Sequence, residues 1–171
     1  AASGIPVASA RAGNVIGGGD WAEDRLVPDL VRAAISGQPL RIRNPNAIRP
    51  WQHVLEPLSG YLRLGQCLWT DATLAGAWNL GPGTSGELSV QLLAERLGAH
   101  WNALSIEADD TPQPHETAIL RLNTDKAAIG LGWHPTWNID MALARTAAWY
   151  RGHHESGRIA SMEDLASYVE D

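Results

Sequence analysis

The chain has 171 residues, 44% of them hydrophobic and 19% charged, the proportions of one ordinary globular domain and not of a disordered chain. Its net charge of −6 excludes a nucleic-acid footprint, which needs clustered Lys and Arg, and no apolar run reaches the length of a membrane span. Cys67 is the single cysteine, so an internal disulfide is excluded; within an apolar helical run it reads as a small buried hydrophobe in a reducing cytoplasm.

The run from Ile5 to Ile16 predicts a buried strand that ends in the turn Gly17-Gly18-Gly19. It begins without Met, as though its sheet had started elsewhere, and the expectation is a fragment of a longer protein. Beyond the polar stretch Asp20 to Asp24, Leu26, Leu30, Val31 and Ala34 recur at helical spacing, with Pro28 in the first turn and Gly37 as the stop. Leu40-Arg41-Ile42-Arg43 alternates as a short strand, and Asn44-Pro45-Asn46 is a turn. A second helix is expected over 54–69 and a strand over 75–80, closed by Gly81-Pro82-Gly83. Residues 89–97 predict a third helix ended by Gly98, followed by a short strand at 104–107 and an acidic, proline-containing loop at 109–114. Leu120 to Asn123 alternates like another strand, and 124–128 like a short helix. Asn138 caps a last long helix from Ile139 to Arg151, and 161–171 forms a small acidic helix. Strands alternating with helices predict an α/β protein.

Gly17-Gly18-Gly19-Asp20-Trp21-Ala22 fits the G-x-G-x-x-A dinucleotide pattern literally, but Asp20, Glu23 and Asp24 would set repelling carboxylates at the helix start meant for a pyrophosphate. No acidic residue closes a second strand about 20 positions later, where a ribose contact belongs. The glycines read instead as a turn that lets backbone approach a substrate, with Trp21 beside it as the one tryptophan facing a ligand. Trp51, Trp78, Trp133 and Trp149 read as core. His53 and Glu56 lie three apart on a helix, but no further ligand at a defined spacing completes a metal site. His153 and His154 read as a polar helix end.

Ile48-Arg49-Pro50-Trp51-Gln52-His53-Val54 is the densest motif. Arg49 offers a planar fork of donors suited to phosphate, although Arg beside Trp is also what a surface Arg on a core Trp looks like. Asn14 ends a strand, where α/β sheets place ligand contacts, and equally could bond its own turn.

In the order Arg11-Ala12-Gly13-Asn14-Val15-Ile16-Gly17-Gly18-Gly19-Asp20, Arg25-Leu26-Val27-Pro28-Asp29, Ile42-Arg43-Asn44-Pro45, the Arg49 block, Trp78-Asn79-Leu80-Gly81 and Pro114-His115-Glu116, the chain resembles part of the extended short-chain dehydrogenase/reductases that act on nucleotide sugars, most of all the CDP-glucose 4,6-dehydratase family. The resemblance implies the C-terminal part of a Rossmann-like fold, with residues 1–20 and 50–82 as its last elements. Residues 21–49 and 83–155 would form a small α/β substrate-binding subdomain, and 156–171 a tail. It implies substrate contacts at Asn14, Arg25, Leu26, Ile42, Arg43, Arg49, Asn79, His115 and Glu116, a cofactor contact at Arg11, NAD as cofactor and a nucleotide diphosphate sugar as ligand. It also implies a homodimeric cytoplasmic parent with no nucleic-acid, membrane or metal partner. The superfamily's Tyr-x-x-x-Lys is absent, since the lone lysine, Lys126, follows Leu122 by four residues. The redox centre is therefore expected outside this chain. An epimerase or reductase on another nucleotide sugar, or a nonenzymatic sugar-nucleotide-binding remnant, remain the alternatives.

Overall fold

The computed structural model describes residues 4–101, 105–108 and 117–171. His115 and Glu116 lie outside the described residues.

The expected first strand is two. β1 (Ala8–Ala12) pairs in parallel with β5 (Gly76–Leu80), whereas β2 (Asn14–Ile16) pairs in parallel with β4 (Ile48–His53). Gly13 is the point of transfer between the two sheets. A Cβ there would fall 2.4 Å from the Pro50 carbonyl oxygen, so only glycine lets the backbones approach. Nor is the run buried throughout: Ile5 and Val7 are each 70% exposed, and β1 alternates between half-buried and exposed positions.

β4 and its antiparallel partner β6 (Glu87–Ser89) escape the sequence reading, because a proline argues against a central strand. Pro50 is tolerated where β4 changes neighbours: Ile48–Pro50 face β6, and Trp51–His53 face β2. Leu120–Asn123 forms no strand; the nearest pairing is the isolated bridge between Ile48 and Ile119. β3 (Leu40–Ile42) pairs in parallel with β7 (Ile106–Ala108).

The helices follow their sequence signals closely. α1 (Leu26–Ser36) buries Val27, Leu30, Val31 and Ala33, and stops at Gly37, whose φ of 65° is the left-handed value that glycine adopts freely. α2 (Leu55–Thr70) presses Gly60 onto Leu80. α3 (Val90–Gly98) starts with the Ser89 hydroxyl accepting the Leu92 N–H at 3.1 Å. α4 (Asp125–Leu131) precedes α5 (Ile139–Ser156), where Asn138 Oδ1 accepts the Met141 N–H at 2.9 Å. α6 (Ser161–Glu170) forms within the expected tail, where the Tyr168 hydroxyl donates to Glu56 and Asp171 accepts from the Trp137 indole N–H.

Two apolar clusters result. The larger joins α1, β3, α3 and α5 around Leu30, Val31, Leu93, Leu97 and Tyr150. The smaller joins α2, β5 and α4 around Leu64, Trp78, Leu80 and Leu131.

Candidate functional site

β2, β4, the start of α1 and β3 surround a cavity of about 900 Å³. Asn14, Arg25, Leu26, Ile42, Arg43 and Arg49 all line it, though they come from four separated stretches of the sequence. Its apolar wall is Ile16, Val27, Leu40, Ile42, Trp51 and Val90, and Trp51 is held by its indole N–H donating to the Leu88 carbonyl at 3.0 Å. Four arginines (Arg25, Arg41, Arg43 and Arg49) stand against three aspartates (Asp20, Asp24 and Asp29), a polar rim over an apolar floor. Arg49 is half-buried, and its Nη1 donates to the Ile48 and Thr117 carbonyls, both at 2.9 Å, which holds the guanidinium in one orientation.

Asn79 and Arg11 stand elsewhere. They are register partners on β5 and β1, at the carboxyl end of the parallel pair, and neither lines the cavity. Asn79 Nδ2 donates to the Asn123 carbonyl at 3.0 Å, while its Oδ1 is buried without a hydrogen bond among the described residues. Gln52 is in the same position: Nε2 donates to the Leu80 carbonyl at 2.9 Å and Oε1 has no partner among the described residues. Orphaned acceptors at the end of parallel strands suit a ligand's amide or hydroxyl donors.

The glycine turn is explained by packing. A Cβ on Gly18 would lie 2.0 Å from Trp149 Cγ, and one on Gly17 would lie 2.9 Å from Val54 Cγ1. The space a side chain would need at Gly18 is taken by an indole. Gly17 and Gly18 also border the cavity, so one turn is packed against Val54 and Trp149 on one side and open to the cavity on the other. Trp21, expected to face a ligand, is absent from the cavity wall and packs edge-on against Tyr150 at 5.2 Å, with His153 at 5.5 Å. His153 stacks on Trp149 at 5.3 Å, so the polar helix end carries an aromatic contact.

Outside the cavity lining is a buried polar cluster that the sequence reading considered only as a metal pair. Glu56, at 0% exposure, accepts the Trp137 N–H at 2.7 Å, the Thr136 N–H at 2.9 Å and the Tyr168 hydroxyl at 2.8 Å. Burial pushes its carboxyl above the usual range, and those three donors pull it partly back. His53 packs on Trp137 at 4.9 Å, and burial, helped by the Arg145 charge, lowers it to about 4. Tyr150, pushed up to about 12 by burial and then by the Asp20 charge, donates to the Asp20 carbonyl at 2.6 Å. The signal for Glu56 was there in principle, as a carboxylate inside an apolar helical run, but its partners lie 80 residues away or more.

The fold is shared with solved sugar-nucleotide dehydratases and epimerases. It superposes on dTDP-glucose 4,6-dehydratase from Bacillus anthracis, solved in complex with NAD, with a TM-score of 0.74 at 20% identity over 90% of this chain and 47% of that one. It superposes equally on UDP-glucose-4-epimerase from Stenotrophomonas maltophila, solved with NAD and formylated UDP-arabinopyranose, with a TM-score of 0.73 at 16% identity over 88% and 49%. In sequence the chain is homologous to CDP-glucose 4,6-dehydratase of Salmonella typhimurium, 42% identical over 170 residues that cover 97% of this chain. The chain spans 47% of that relative's length, which fits the expectation of a part of a longer enzyme. No protein-family model matches it. No helix among the described residues is long and apolar enough to cross a membrane.

Proposed function

We propose that this chain is the nucleotide-holding part of an NAD-dependent nucleotide-sugar 4,6-dehydratase that converts CDP-glucose to CDP-4-keto-6-deoxyglucose. The observation that carries the reading is the gathering of Asn14, Arg25, Arg43 and Arg49 on one cavity of about 900 Å³ with an apolar floor. Guanidiniums bind diphosphate through paired charge-assisted bonds, and an oriented guanidinium loses little freedom in doing so. Arg49, held by two carbonyls, takes the diphosphate; Arg25 and Arg43 meet it from the rim. Leu26 and Ile42 bracket the nucleoside, and Asn14 bonds the sugar or its phosphate. His115 and Glu116 complete the nucleoside side in this reading.

NAD, when bound, would supply the hydride exchange between sugar C4 and C6 that accompanies loss of water across C5 and C6. Of this chain's residues, Arg11 would touch it at a strand end; Asn79, expected at the substrate, stands beside Arg11 and away from the cavity, and its orphaned acceptor fits a donor of the dinucleotide better. Most of the cofactor site would lie in the remainder of the parent, a cytoplasmic homodimer. Without Tyr-x-x-x-Lys the chain alone turns nothing over; its part is positioning, which can supply several kcal/mol of a barrier.

In the parent enzyme Arg49→Ala is expected to weaken CDP-sugar binding by about tenfold or more, the worth of a charge-assisted bond, and to leave NAD binding nearly intact. Isothermal titration with CDP-glucose and with NAD reads both, and an unchanged sugar-nucleotide affinity removes Arg49 from the site.

A further inference from the structure

Two of the rim arginines, Arg25 and Arg43, are each held by a carboxylate of one loop. Arg25 Nη1 donates to Asp20 Oδ2 at 3.1 Å, and Arg43 Nη2 donates to Asp24 Oδ1. That loop is fixed from behind. Arg32 donates to the Trp21 carbonyl at 3.1 Å and the Ala22 carbonyl at 3.0 Å, and the Tyr150 hydroxyl donates to the Asp20 carbonyl at 2.6 Å. The second oxygen of Asp20 accepts the Ala22 N–H at 3.0 Å. Asp24 has a φ of 59°, and is the only such non-glycine among the described residues. Asp and Asn enter that region more readily than other side chains. The loop backbone is therefore set so that two carboxylates meet two guanidiniums at the cavity mouth.

The Asp24–Arg43 pair also stands on a boundary. Both residues line the cavity and, on its other side, an open hollow of about 580 Å³ walled by Arg32, Ser36 and Gln38. An anion that draws Arg43 inward must take it from Asp24.

Carboxylate and phosphate offer the same pair of oxygens to a guanidinium, and exposed ion pairs are weak enough to exchange. We propose that Asp20 and Asp24 are internal competitors that set the affinity of this cavity. They hold Arg25 and Arg43 in the absence of ligand, and yield them to the phosphates of a nucleoside diphosphate. Binding is then an exchange of ion-pair partners. It is weaker than two new contacts would be, and the returning carboxylates speed release of the product. The inference rests on the nucleotide-diphosphate reading of the cavity.

Calorimetric titration of CDP against the parent enzyme and its Asp24→Asn variant tests it, since Asn keeps the backbone preference and removes the charge. The expected result is binding three- to tenfold tighter in Asp24→Asn, with Asp20→Asn giving an independent gain through Arg25. In an Arg43→Ala background the Asp24→Asn gain should vanish. A gain that persists there reports only the general field of one carboxylate and overturns the exchange. Unchanged or weaker binding in both Asp variants overturns this inference alone. Absence of CDP binding in the wild type and every variant overturns the cavity's assignment, and this inference with it.

Discussion

Charged side chains serve opposite ends at the cavity mouth and beneath the C-terminal helix. At the mouth, Asp20, Asp24, Arg25 and Arg43 are paired in contact with water, the side chain of Asp24 being 80% exposed. Beneath α6, Glu56 is sealed from solvent, and its oxygens meet two backbone amides and a phenol. An exposed pair gains little from its attraction and can change partners. A buried carboxylate bonded to backbone amides cannot leave without orphaning them. The difference is burial: one set of carboxylates is available to a ligand, and the other joins α2, the 136–137 segment and α6.

The largest test of that contrast is Glu56→Ala, which strands the Thr136 and Trp137 amides and releases Tyr168. It is expected to destabilise by about 3 kcal/mol, the range for breaking a buried polar network, as read by urea unfolding. A loss of under about 1 kcal/mol would show that Glu56 does not hold α6 in place.

Next comes pH. His53 is neutral in the fold down to about 4, against 6.5 when unfolded, so the unfolded chain binds more protons between those values. Stability should therefore be fully present above pH 6.5 and fall as pH drops towards 4, by at most about 1.4 kcal/mol per unit. Glu56 and Asp164, both raised chiefly by burial, act in the opposite sense, gaining as pH falls. The slope of the wild type minus that of His53→Gln isolates the histidine. Equal slopes would mean that His53 is not desolvated.

The smallest effect is expected at the mouth. Asp24→Asn removes an exposed pair and suits a positive φ, so stability should move by less than about 0.5 kcal/mol in thermal unfolding. A loss as large as that of Glu56→Ala would erase the distinction between the two regions.

Much of the helical frame was legible because its signals are local. Ser89 and Asn138 cap the helices they precede, and Gly37 ends α1 in the left-handed conformation that glycine permits. Six of the expected substrate contacts reached one cavity through the resemblance of short motifs, not through periodicity. The strands were harder. β4 hides behind Pro50, β6 is three residues long, and the Ile5–Ile16 run gives no sign that Gly13 divides it between two sheets. Gly18 shows the same limit: close approach is encoded, but not what approaches. Here it is Trp149, about 130 residues on.

What the amino-acid order determined by itself is the alternation of strand and helix, the capped helix ends, the absence of Tyr-x-x-x-Lys and a motif set homologous to a CDP-glucose dehydratase. These depend on neighbours within a few residues or on the match of whole segments. Tertiary structure alone decided that Arg49 shares a wall with Asn14 while Asn79 stands apart from that cavity, that Glu56 belongs to the core, and that Arg25 and Arg43 are already paired. Each of those facts depends on burial and on partners brought together by parallel pairing, and side-chain burial is set by distant chain that no local pattern records.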